Sequence, residues 1–355
     1  MSEPRKRRNR MAQQAVRMDL ASFERLIAAI RRRGYAVYAP VSGGPEGGWN
    51  QIDAPEPMEL KGPPAQGPKR LFHRSKARLI SIERSNGSWR VEQERACGEK
   101  LALVGVHACD LEALKRLDRV LLGDRYKDTH YEARRKDALL VAFNCIEAAE
   151  TCFCASMETG PEVRGGCDIV MTPAPDGRQF LAEPASDLGG ALIEESGAEP
   201  AGQEWASGVR KGIENAAAQS RCVDWRKAPT TLDANRENPR WAATAKRCMA
   251  CGNCTMSCPT CFCVNTVETS SLDLTRSERW RVWDSCFNLN FTYIHGGPVR
   301  MSRQARYRHW LTHKFARWID QFGETGCTGC GRCIRWCPAG IDPCEELASL
   351  TNGSN

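Results

Sequence analysis

The sequence predicts an α+β chain in which an N-terminal α/β domain precedes a mostly helical domain, and three observations carry that reading. Two apolar runs, residues 101–106 and 138–143, suit buried strands and are too short for buried helices. Tyr307, Trp310, Leu311, Phe315, Trp318, Ile319 and Phe322 follow an i, i+3, i+4, i+7 progression, the clearest amphipathic helix in the chain. Between residues 248 and 337 one cysteine pattern occurs twice with the same spacing.

With 355 residues there is room for about two domains, and 41% hydrophobic with 26% charged content is ordinary for a water-soluble protein. Arg5, Lys6, Arg7, Arg8 and Arg10 form a basic run with no apolar segment after it. It is not a secretory signal, and residues 1–18 read as a basic, disordered tail. Leu20, Phe23, Leu26, Ile27 and Ile30 recur at helical spacing, Arg31, Arg32 and Arg33 complement the helix dipole, and Gly34 ends the helix. Residues 35–41 alternate like a strand, residues 42–68 form a Gly/Pro-rich loop, and residues 78–83 and 88–93 pair around Ser85-Asn86-Gly87.

The strand at 101–106 leads into a loop, His107-Ala108-Cys109-Asp110, and a helix carrying Leu111, Leu114, Leu117 and Val120. The strand at 138–143 runs into Asn144-Cys145 and then Thr151-Cys152-Phe153-Cys154. Two buried strands whose carboxyl ends both deliver cysteines place a site at the edge of an α/β sheet. Residues 168–172 and 179–182 extend that sheet, 187–210 read as helix and loop, and 200–239 connect the domains. The α/β domain with its linker therefore spans 19–235 and the helical domain 236–355, the latter opening on a helix with Ala242, Ala245 and Cys248 on one face.

Cys248, Cys251, Cys254 and Cys258-Pro259 make a C-x2-C-x2-C-x3-C-P run, and Cys327, Cys330, Cys333 and Cys337-Pro338 repeat it. Three closely spaced thiolates cover three corners of a 4Fe-4S cube, and in two-cluster ferredoxins the cysteine before proline serves the other cluster. One cube then takes Cys248, Cys251, Cys254 and Cys337, the second Cys327, Cys330, Cys333 and Cys258. Structural zinc also takes four thiolates but usually wants two separated C-x2-C pairs. Gly252 and Gly331 follow the second cysteine of each run, where backbone approaches a cluster closely. Long insertions between the runs favour a helical ferredoxin domain over a compact βαββαβ unit. Oxidising compartments handle such clusters badly, so the nineteen cysteines point to the cytoplasm rather than to disulfides. No apolar run approaches 18 residues, which argues against direct membrane insertion.

For Cys109, Cys145, Cys152 and Cys154 two readings stand: ligands of a third cluster, since their loops converge, or buried thiols packed as small hydrophobes. Cys261 and Cys263 suit packing around a cluster or partner contact rather than ligation, and Cys286 recurs in the same company. His295, His309 and His313 lack the acidic partner of a zincin and suit packing or hydrogen bonding near a cluster. The arginines between 300 and 308 form a solvated face, offset cluster charge or dock an acidic partner. Net charge +7 comes with no nucleic-acid-binding motif, and the glycine pairs lack a nucleotide-binding context.

The segments Gly105-Val106-His107-Ala108-Cys109-Asp110-Leu111, Asn144-Cys145, Thr151-Cys152-Phe153-Cys154 and Cys258-Pro259-Thr260-Cys261-Phe262-Cys263 resemble the 4Fe-4S dicluster family. Trp283-Asp284-Ser285-Cys286-Phe287 and His309-Trp310-Leu311-Thr312-His313-Lys314 are similar to the same family. It contains the beta subunit of cytoplasmic sulfhydrogenases, which are NAD(P)-linked nickel-iron hydrogenases, and an iron-sulfur subunit of anaerobic sulfite reductase. The resemblance implies a non-catalytic electron-transfer subunit between a flavin subunit that meets NAD(P)H and a catalytic hydrogenase or sulfite reductase subunit. Two adjacent clusters agree with that role, because they move electrons singly from a two-electron donor to a distant metal. An alternative of another class is a redox-sensing, nucleic-acid-binding iron-sulfur protein, which the two-cluster spacing weighs against.

Overall fold

The computed structural model describes residues 15–41, 48–55, 58, 60–94, 98–123 and 125–352. The basic run at residues 5–10 and part of the expected loop at 42–68 lie outside them. Inside the expected tail, strand β1 (Val16–Asp19) already belongs to the core, since Met18 is fully buried. Asp19 then caps the helix Leu20–Arg32, accepting from the Ser22 backbone N–H at 2.8 Å.

Strands β2 (Ala36–Pro40), β3 (Trp49–Gln51), β4 (Lys76–Ser85), β5 (Ser88–Gln93), β6 (Leu101–His107), β7 (Leu139–Phe143), β8 (Ile169–Pro173), β9 (Gln179–Pro184) and β10 (Glu199–Pro200) follow. Eight of them form one mixed sheet in the order β10-β1-β9-β8-β7-β6-β2-β3, parallel from β2 through β6 and β7 to β8. Helices cover both faces, which is why β6 and β7 are apolar without alternation. Ala102 and Val104 pack with Phe23 and Ile27, whereas Leu101 and Leu103 face Leu111 and Leu114 of the helix Ala108–Leu121.

Strict alternation would put Val106 with Val104. A bulge between Val104 and Val106 moves it to the face of Leu101 and Leu103 instead. Gly105 makes this possible at φ 95°, where a Cβ would also stand 2.8 Å from Pro40 Cδ. The bulge aims His107 to Asp110 off the sheet, and the loop expected there is absent because helix starts at Ala108.

The hairpin turn is as expected: Asn86 and Gly87 both have positive φ, which matches the twist of the strands they join. That hairpin then pairs through β4 with a second one, β11 (Val264–Ser270) and β12 (Arg276–Trp283), in an antiparallel sheet β11-β12-β4-β5. The segment between the cysteine runs is thus part hairpin, and the boundary expected at residue 235 is crossed by a sheet. Apart from a short antiparallel pair, Tyr293–Ile294 with Gly297–Pro298, the remaining elements of the C-terminal region are helices around a core of Trp241, Tyr307, Trp310, Leu311 and Phe315. Within the predicted helix, Arg303–Thr312 and Trp318–Phe322 flank a π-turn, His313–Arg317. There the Lys314 carbonyl accepts from the Gly326 N–H at 2.8 Å.

A buried ion pair joins the regions. Arg332, beside Cys333, donates both Nη groups to Asp110, beside Cys109, with the Nη2 bond at 2.8 Å and side chains 2% and 0% exposed. Gly67 fills the angle between them: a Cβ there would stand 2.9 Å from Asp110 Oδ1. Asp110→Ala leaves a buried guanidinium unpaired and is expected to cost about 3–5 kcal/mol. Urea unfolding should show that loss, with a much smaller one in Asp110→Leu/Arg332→Met; equal losses would contradict it.

Candidate metal centres

The two cysteine runs fold alike. Ala250 (φ 54°) and Gly329 (φ 62°) occupy the same left-handed position, and Gly252 (φ 80°) and Gly331 (φ 70°) the next. Each second glycine opens a one-turn helix, Asn253–Met256 or Arg332–Arg335. Backbone N–H groups turn to the first sulfur of each run: Ala250 N donates to Cys248 Sγ and Gly329 N to Cys327 Sγ, both at 3.4 Å.

The cysteines do not group by run. Cys248, Cys251 and Cys254 line one cavity with Cys337, which accepts from the Ile341 N–H at 3.3 Å; Cys333, Phe287, Tyr307 and Trp310 line it too. Burial holds the Cys254 thiol well above its ordinary range, with Cys248 and Cys337 as the next causes. Tyr307 Oη and Trp310 Nε1 are buried and have no hydrogen-bond partner among the described residues. Two orphaned donors in a thiol-lined cavity fit a group that brings acceptor sulfur, as an iron-sulfur cluster does.

Around Cys258 the environment differs. Lys314 Nζ donates to Cys258 Sγ at 3.2 Å, to Thr260 Oγ1 at 3.0 Å and to the Gly326 carbonyl at 3.2 Å, next to Cys327. Burial would lower the Lys314 pKa, but the Cys258, Cys261 and Cys327 sulfurs outweigh it and hold the ammonium above its ordinary range. The Cys261 thiol shares a hydrogen bond with Cys258, which holds Cys258 low. Burial pushes Cys330 up to about 12, with Cys258 among the neighbours that add to it.

Cys109, Cys145, Cys152 and Cys154 are all buried. Burial raises each thiol, Cys152 up to about 12, and the largest neighbouring effects on Cys145 come from Cys154 and Cys152. Cys145 Sγ lies 3.2 Å from His107 Nδ1, which also meets the Phe143 carbonyl, so adjacent strand ends deliver both. The Thr-Cys-Phe-Cys segment packs on the second run: Phe153 N donates to the Gly329 carbonyl at 2.8 Å, and a Cβ on Gly329 would stand 2.6 Å from Cys154 Cα. Thiols this buried stay protonated, and a coordinating iron deprotonates them outright. Among the described residues no three His, Cys, Asp or Glu side chains converge on a single-ion site; a cube spreads its thiolates over four irons and does not require that.

Other candidates settle around these groups. Cys263 and Cys286 share a hydrogen bond, and Cys263 is lowered to about 7 by it. His309 and His313 stack in parallel at 5.8 Å, His313 also meeting Phe262 and Trp318, while His295 is exposed. Lys314, Tyr307 and Trp310 bring polar atoms to the cysteines, although periodicity assigns 307 and 310 to core packing and does not single out 314. The signal is present in the chain: position 314 falls four after Trp310 and four before Trp318, a lysine inside an apolar stripe.

A 4Fe-4S dicluster domain model matches residues 247–341. The chain is 31% identical over 291 residues to sulfhydrogenase 2 subunit beta of Pyrococcus furiosus, covering 81% of this chain and 83% of that one. No solved structure matches it. No described helix is long and apolar enough to cross a membrane.

The contact between the second run and the Thr-Cys-Phe-Cys segment is testable without any cofactor. Gly331 and Gly340 both have positive φ, but only at Gly331 would a Cβ strike a neighbour, the Thr151 backbone. Gly340→Ala is expected to cost the roughly 1–2 kcal/mol of a left-handed L-residue. Gly331→Ala should cost clearly more in thermal unfolding, and equal losses would refute the contact.

Proposed function

The chain belongs to the 4Fe-4S dicluster family that includes the sulfhydrogenase beta subunit, and from that premise we propose that it relays single electrons between a flavin subunit that meets NAD(P)H and a catalytic hydrogenase subunit. That it is an iron-sulfur electron-transfer subunit follows from the family; the neighbours, the direction and the ligand sets are our reading. One observation carries it: the cysteines of both runs meet in a single core, with Cys337 beside the first run and Cys258 near Cys327. Crossed ligation is therefore our assignment, with Cys248, Cys251, Cys254 and Cys337 as one set and Cys327, Cys330, Cys333 and Cys258 as the other. Cys109, Cys145, Cys152 and Cys154 are assigned to a third.

When bound, such clusters take up and release one electron at a time. The chain's own work is to hold thiolates at fixed positions, keep water from them and donate hydrogen bonds to sulfur. Tyr307, Trp310 and Lys314 supply donors, and the shell of Phe287, Trp310 and Leu311 is buried. Cys251 is exposed, so the first set reaches the surface where a partner docks.

Reduced with dithionite, the purified chain should take up electrons, yet it should not oxidise NAD(P)H with an artificial acceptor until the flavin subunit is added. NAD(P)H oxidation by the flavin-free chain would overturn the relay. EPR of cysteine-to-serine variants tests the ligand sets: Cys337→Ser should alter the signal that Cys248→Ser alters, and Cys258→Ser the one that Cys327→Ser alters. Three clusters bring about 12 irons per chain and two about 8. A count at the lower value, unchanged by Cys152→Ser, removes the third.

A further inference from the structure

One helix serves both cysteine sets, and it treats them unequally. Positions 307, 310 and 314 share its buried stripe, so Tyr307 and Trp310 reach the cavity of Cys248, Cys251, Cys254 and Cys337 while Lys314 reaches Cys258. The first set thus meets two neutral donors, a phenol and an indole. The second meets a full positive charge on one of its sulfurs. Of the other charges near the second set, Arg332 is paired with Asp110 and Arg116 with Glu112 and Glu324, while the buried Lys69 donates to the Cys261 carbonyl at 3.0 Å and adds a weaker positive field than Lys314 at Cys258. On the first set, Arg303 Nη1 reaches the Cys248 carbonyl at 2.8 Å, but from an exposed position where solvent screens it.

Resting on the ligand sets assigned above, we propose that Lys314 is a positioning residue that raises the reduction potential of the Cys258, Cys327, Cys330 and Cys333 centre above that of its neighbour. Adding an electron adds negative charge, and a buried ammonium hydrogen-bonded to a ligand sulfur stabilises that charge far more than an exposed or neutral donor does. Cluster potentials respond to net charge, to hydrogen bonds on sulfur and to solvent exposure; exposure favours the reduced form of the first set, and the buried charge of Lys314, 3.2 Å from a ligand sulfur, outweighs it at the second. The second set carries the cation, and it lies away from the exposed Cys251. An electron entering at the surface set therefore moves inward and rests at the second.

The Lys314 environment is built for the charge and not for packing alone. Its ammonium has three acceptors, one of them the Gly326 carbonyl that Thr260 Oγ1 also satisfies at 2.7 Å. That redundancy means Lys314→Met leaves the Gly326 carbonyl paired, and methionine fills the same volume, so the variant is expected to fold.

An EPR-monitored redox titration of the cluster-loaded full-length chain tests this. Lys314→Met should lower the potential of the signal that Cys258→Ser removes by about 59 mV or more, a tenfold change in the reduction constant of a one-electron couple. The other signal should stay in place, and Lys314→Arg should restore most of the difference. Tyr307→Phe should move only the signal that Cys248→Ser removes, and by less. No shift in Lys314→Met, an equal shift in both signals, or no recovery with Lys314→Arg overturns the inference. Failure of the ligand sets shows separately, as a Cys258→Ser variant that alters the Cys248 signal.

Discussion

The Asp110–Arg332 ion pair is the constraint on which the rest of the arrangement depends. Each partner is one residue from a cysteine, Cys109 on one side and Cys333 on the other, so the pair sets the distance between the sheet edge and the second run. A bidentate guanidinium–carboxylate contact fixes orientation as well as distance. Burying both charges costs desolvation that their attraction only roughly offsets, so its contribution is better described as registry than as stability. Arg116 reinforces it from the same helix, donating to the Thr325 carbonyl at 2.7 Å, and Thr159 Oγ1 does so from the loop, bonding the Thr328 carbonyl at 2.7 Å.

Seen from the second run, those contacts explain an asymmetry between two otherwise equal repeats. Ala250 takes up the left-handed position that Gly329 occupies in the second copy, where a Cβ would stand 2.6 Å from the Phe153–Cys154 backbone. At Gly252 the neighbour is a side chain, Ser285 Oγ, which can shift. The second run thus meets main chain as well as side chains of the α/β region, whereas Gly252 of the first meets a side chain of its own region. A repeat in sequence becomes two different environments once one copy is an interface.

The helix Arg303–Thr312 with its π-turn carries that difference into chemistry. A π-turn adds a residue to one turn and frees a carbonyl, and here the freed Lys314 carbonyl is taken by Gly326 at the start of the second run. The same residue's side chain returns to the Gly326 carbonyl and to Cys258. Backbone and side chain of a single lysine therefore tie the helix to both cysteine segments. In the protein interior its charge is little screened, which separates it from the exposed arginines around it.

Much of this was legible from the chain alone, and the reasons are local. Apolar runs announced β6 and β7 because both faces of a covered sheet are dry, the Asn86-Gly87 turn announced its hairpin through positive φ, and cysteine spacing announced the metal chemistry because ligand geometry is short-range. What escaped depended on residues distant in sequence. No local signal announced the bulge at Gly105, where Pro40 lies against the missing Cβ, or the sheet across the expected domain boundary, where β4 meets β12. Lys314 sat in plain view on an apolar stripe, yet only folding decided whether its ammonium would reach solvent or a sulfur. Periodicity and spacing record what a segment needs from its neighbours, and the identity of those neighbours is set only when the chain closes.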